Sequence, residues 1–136
     1  MNQIEWDALV QALHDRSDVT RAVGAAQRLQ KFATREDVPR LVALLANDAF
    51  FVREAAAWPL SDLGVTEALP QLLEAVYRGI QECHDNDGLN AALADLAEMN
   101  PSPARAALNG IVATGPEHLR AHALSLLEFC TNETDA

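Results

Sequence analysis

A chain of 136 residues, 49% of them hydrophobic, can bury one core but is short for two, and it is too apolar to stay disordered. Alanine and leucine supply 44 residues against 18 for Val, Ile and Thr, which favours helix over sheet because the β-branched residues lose more side-chain freedom in a helix. Twenty acids against ten bases leave a net charge of −10, a surface that repels phosphate backbones and argues against nucleic acid as a partner.

The opening segment Met1–Asp7 has neither the basic nor the apolar run of a signal peptide, and no stretch approaches the ~20 apolar residues of a membrane span. Cys83 and Cys130 lie far apart and form no CxxC unit. The expectation is a cytoplasmic protein with reduced thiols, no membrane contact and no cofactor.

In chain order, Asp7–Leu13 opens a helical pattern whose Val10 and Leu13 recur, 31 residues on, as Leu41 and Leu44. Ala25, Leu29 and Phe32 then take the places that Ala56, Leu60 and Leu63 take at the same offset. Val38-Pro39-Arg40-Leu41 overlays Leu69-Pro70-Gln71-Leu72, again at 31. Val52, Ala56, Leu60 and Leu63 share one helical face, with Gly64 as the terminator and Pro59 predicted to kink the helix. Thr66 is placed to cap a helix through about Ile80. Asn86 or Asp87 is placed to cap another through Met99, with Leu89, Leu93 and Leu96 as its buried face. Asn100-Pro101-Ser102-Pro103 breaks the chain before a helix to about Ala113. Thr114-Gly115-Pro116 breaks it again before a last helix through Cys130. The small residues Ala25, Ala55, Ala56, Ala91, Ala92, Ala121 and Ala123 are expected to allow close helix approach. The result is an all-α chain of eight helices in four antiparallel pairs, one domain over residues 1–130, with a frayed tail at 131–136.

Val52-Arg53-Glu54-Ala55-Ala56-Ala57, Leu60-Ser61-Asp62-Leu63-Gly64 and Ala68-Leu69-Pro70 resemble a HEAT repeat of the short bacterial type. That type also occurs in phycobilisome lyases, with the pattern VRxxAA…LGxLG…ALP. The resemblance is good over 37–76, acceptable over 4–36 and weak over 77–130. Asn90 stands where the third pair usually has arginine, Ser61 stands for the usual glycine, and Pro59 falls inside a helix. The resemblance implies an α–α solenoid of about four HEAT-like helix pairs in a right-handed superhelix. It also implies a concave face lined by the second helix of each pair, and an Asp–Arg ladder at Asp48 and Arg53. It does not carry a function with it.

Glu54, Trp58 and Asp62, spaced i, i+4, i+8, avoid the apolar stripe and form a row on that face. Gln27 and Lys31, Ala91 and Asp95, and Ser125 hold the equivalent places in the other pairs. Trp58 reads either as an interface anchor or as packing against Pro59 or a neighbouring repeat. Residues 1–36 carry five acids and five bases, whereas 65–104 carry seven acids and only Arg78. Asp85 and Asp87 form the turn into a helix where carboxylates also suit the N-terminus, so Asp87 reads as a cap or as part of an acidic patch. Glu54, Trp58, Asp62, Asp85, Asp87, Asn90 and Asp95 are therefore the candidate contacts for a basic protein partner. Phe50 and Phe51 read as core.

Catalysis finds little support. His118 and His122 have a metal-compatible i, i+4 spacing but no HExxH context and no third ligand, so they read as surface histidines. His14-Asp15 and Cys83-His84-Asp85 lack an orienting group and an oxyanion site. There is no Gly-rich phosphate loop, and the His-Glu dipeptide of HEAT-like iron hydroxylases is missing. HEAT-like DNA glycosylases need a basic groove, and phycobilisome lyase activity needs a longer chain or a partner subunit. The sequence thus reads as a non-catalytic, metal-free protein-binding module. One version is an immunity or antitoxin-like protein masking a basic toxin; the other is a scaffold or maturation subunit serving a client enzyme.

Overall fold

The computed structural model describes residues 1–131, and among them eight α-helices and no strand. They are α1 (Gln3–Leu13), α2 (Val19–Phe32), α3 (Val38–Leu44), α4 (Phe50–Asp62), α5 (Leu69–Gln81), α6 (Asp87–Met99), α7 (Pro101–Thr114) and α8 (Glu117–Leu127). The expected tail, apart from Thr131, lies outside the described residues. The 31-residue period is structural as well as sequential. Short 3-10 turns at Arg35–Asp37 and Thr66–Ala68 lead into α3 and α5, each of which carries proline in its first turn, where no backbone donor is lost.

α1 packs on α2, α3 on α4, and α7 on α8, as pairs. α2, α4 and α6 form a row, each packed on the next, which is the solenoid's second-helix layer. The third pair departs from the expected pattern: α6 packs chiefly on α4, while α5 packs chiefly on α8. One apolar cluster runs from Trp6 to Cys130, with Leu29, Leu41, Leu60, Leu69, Leu93 and Leu108 fully buried. Gly64, with φ +69, ends α4 as its position required.

Pro59 lies inside α4, as its place in the sequence implied, and the helix ends three residues later, at Asp62. Several local expectations are corrected. Thr66 is buried and does not cap α5, because the 3-10 turn takes that place. Neither Asn86 nor Asp87 caps α6 with its side chain. The last helix stops at Leu127, and turns carry the chain to a buried Cys130. Of the small alanines, Ala91 and Ala121 are exposed while the other five are buried. Phe32, matched in sequence to Leu63, is 57% exposed because no further helix covers its side of α2 among the described residues. Phe50 packs on the core, but Phe51 is 37% exposed.

Candidate functional site

α4 and α6 run side by side in the same direction, so their N-terminal ends meet at Glu54 and Gly88 and their C-terminal ends at Asp62 and Asp95. At the first end the Glu54 carboxylate lies over Gly88 so closely that a Cβ there would sit 2.6 Å from Oε1. Glu54 is half-buried, and no donor within hydrogen-bond reach serves it among the described residues. Burial pushes its carboxyl above the usual range, and the nearby Asp85 charge adds to the shift.

Asp85 is exposed and accepts a hydrogen bond from the Asp87 N–H at 2.9 Å, which shapes the turn. Asn86 faces the interior. Its Nδ2 donates to the Val76 carbonyl at 3.2 Å and its Oδ1 is buried without a partner. A Cβ on Gly79 would collide with that oxygen, so glycine is what lets α5 accept Asn86. Turned inward, Asn86 holds the Asp85–Asp87 turn against the body of the fold, and Asp87 and Asn90 project from the first turn of α6 as exposed side chains.

At the other end Asp62 accepts from the Gln30 amide of α2 at 2.8 Å. With Asp95 and Glu98 it lines a hollow of about 610 Å³ that also touches Ser61 and Asn100. Trp58 sits one turn from both Glu54 and Asp62, half-buried against the core cluster. Glu54 with the nearby Asp85, and Asp62 with Asp95 and Glu98, are thus two acidic groups eight residues of α4 apart, about 12 Å along the helix, with Trp58 between them. Glu98 counted in the sequence only as one of the acids of 65–104, and Gln30 and Gly88 were not picked out. The i, i+3 spacing of Asp95 and Glu98 signals the first, whereas the other two depend on contacts between repeats.

The Asp48–Arg53 ladder takes a different form. Arg53 is fully buried and donates through Nη1 to the carbonyls of Asn47 (2.9 Å) and Asp48 (3.2 Å), and through Nη2 to Glu82 at 2.8 Å. The Asp48 carboxylate instead pairs with Arg78, which also binds Glu82. Arg78 and Arg53 together hold the Glu82 carboxyl below its usual range. A hollow of about 800 Å³ lies at the turns before α2 and α4 and is mostly apolar, with Val19, Val23, Phe51 and His84 in its lining. Its two carboxylates, Asp15 and Asp48, are each paired with an arginine.

His118 is bound to Glu74 at 2.8 Å and lies against the Tyr77 ring, while His122 is half-buried, and burial lowers its pKa. Among the described residues no group of three His, Cys, Asp or Glu side chains is placed to hold a metal ion. No helix among them is long and apolar enough to cross a membrane.

Comparison with known proteins agrees with the repeat architecture. The chain is 38% identical over 82 residues to the phycocyanobilin lyase subunit alpha of Nostoc sp. (strain PCC 7120), an overlap of 56% of this chain and 30% of that one. It thus spans under a third of that relative's length. No solved structure matches the chain. The family model for HEAT repeats matches residues 6–81, more than half of the chain and the whole stretch in which the 31-residue period is regular. The chain belongs to the HEAT-repeat family.

Proposed function

We propose that residues 1–130 act as one non-catalytic, cytoplasmic protein-binding domain whose α4–α6 face takes a basic segment of a partner protein. The observation that carries this reading is Glu54. A half-buried carboxylate with no donor, raised pKa and a second acid beside it is a cost to the folded chain. A partner's guanidinium or ammonium would supply the missing counter-charge, and Trp58, one turn away, offers it an aromatic face. Asp62, Asp95 and Glu98 extend the same negative field toward the far end of the helices.

Two kinds of partner fit this chemistry. Masking of a basic toxin rests on the acidic face alone. A scaffold or maturation role beside a client enzyme has the additional support of similarity to a lyase subunit, and is the version we favour.

Reversing Asp85 and Asp87 together to Lys is expected to weaken partner binding at least tenfold and to flatten its salt dependence, with helicity by circular dichroism unchanged. Unchanged affinity would remove the turn from the interface. Trp58→Ala is expected to cost about 2 kcal/mol of binding. A lower melting temperature with intact affinity would instead assign Trp58 to the core.

A further inference from the structure

A second surface, independent of the acidic face, is built like the stacking side of a repeat. On α4, Ala55 and Pro59 are buried and share a side with Asp62, which is bonded to Gln30 of α2, so this is the side stacked on α2. Thirty-one residues earlier the same side of α2 reads Gly24 and Arg28, with Arg21 and Phe32 a turn to either side. Lys31 Nζ lies 5.3 Å from the centre of the Phe32 ring. A Cβ on Gly24 would meet no atom within 4 Å, and a groove of about 620 Å³ runs between this side and Glu5 and Ala8 of α1, which forms the far wall. Phe32 stands 57% exposed at one end of it. Gly24 and Phe32 interrupt the polar residues of this side.

Charge selects the occupant. Residues 1–36 are neutral, with five acids and five bases, so the rest of the chain carries the whole net charge of −10. Two copies repel each other over most of their surface and meet with least repulsion here. Glu5 on one wall of the groove and Arg28 on the other carry opposite charges, an arrangement that a two-fold axis would turn into reciprocal pairs. We infer that the outer α1–α2 face binds a second copy of this chain, with Phe32 as the apolar anchor and reciprocal Glu5–Arg28 pairs.

Sedimentation velocity of the full chain over a roughly hundredfold concentration range tests this. The mass is expected to rise from 14.7 kDa toward twice that value, and to do so equally or more readily at high salt, where the net repulsion is screened. Phe32→Glu and Arg28→Glu should each leave a monomer with unchanged helicity. Glu5→Lys alone should also be monomeric, and mixing it with Arg28→Glu should restore a dimer, which a merely structural role for either residue does not predict. A monomer at every concentration would overturn the inference. So would a dimer indifferent to Phe32→Glu, or one lost on reversing Asp85 and Asp87 instead.

Discussion

At Glu54 folding works against ionisation, because the side chain is partly buried and gains no protein donor among the described residues. A carboxyl whose pKa is raised on folding contributes stability below its unfolded pKa, and that contribution is lost as pH rises through the folded value. Glu54→Gln should therefore stabilise the chain at neutral pH by on the order of a few tenths of a kcal/mol, since the solvent that still reaches the side chain screens it, and should gain little at acid pH. Thermal melts at both pH values check this, and the same variant should bind a basic partner more weakly. Gly64 gives the opposite kind of test. Its φ of +69 and an Asn100 Oδ1 only 3.0 Å from where a Cβ would stand predict a loss of about 1 kcal/mol or more for Gly64→Ala, measured by urea unfolding. Gly64 was legible in the sequence because a terminator at the end of an apolar stripe has one local meaning. The burial of Trp58 was not, since whether an indole one turn from two acids faces solvent or core depends on how closely neighbouring helices approach.

The helices are held in register by polar groups at the turns. Arg53 passes through the core from α4 to reach two carbonyls before that helix and Glu82 after α5, so it ties the second repeat to the third. Arg53→Ala should cost about 3 kcal/mol, because it empties a buried site and strands its acceptors, whereas Arg78→Ala, at the surface, should cost much less. Chemical denaturation of both variants separates the two. Arg78 and Arg53 lower the Glu82 pKa, so its contribution is present above the ordinary carboxyl range and is lost as pH falls through the folded value. Glu82→Gln should accordingly flatten the acid limb of the stability profile, followed by the helical signal on acid titration. All eight helices could be read from apolar spacing and breakers, with the expected ends within about a turn of the observed ones and α8 stopping three residues short of Cys130. The cap residues failed for a common reason. Thr66 and Asn86 each have the right type for a local cap, but the fold uses one in a buried 3-10 turn and the other as a bond from the α6 entry back to α5.

Across the whole molecule charge and fold divide the labour. The repeat period, the row α2–α4–α6 and the neutral first pair follow from composition and spacing, and they set where a second helix layer must lie. The pairing of Glu54 with Gly88, of Asp62 with Gln30, and of Arg53 with Glu82 all cross between repeats about thirty residues apart. No local pattern fixes that register, so the acidic face was legible as a list of residues but not as two groups either side of an indole. On the proposed reading the field of that face steers a basic partner in, and the half-buried Glu54 and Trp58 fix its position. The measurement that tests this most directly is a paired pull-down from native extract. Tagged wild-type chain and the Asp85→Lys, Asp87→Lys variant are each washed at low and at high salt. The account predicts one basic protein, in stoichiometric amount, held by the wild type at low salt, released at high salt and not held by the variant. The same proteins retained by both chains, or none retained by the wild type at either salt, would contradict it.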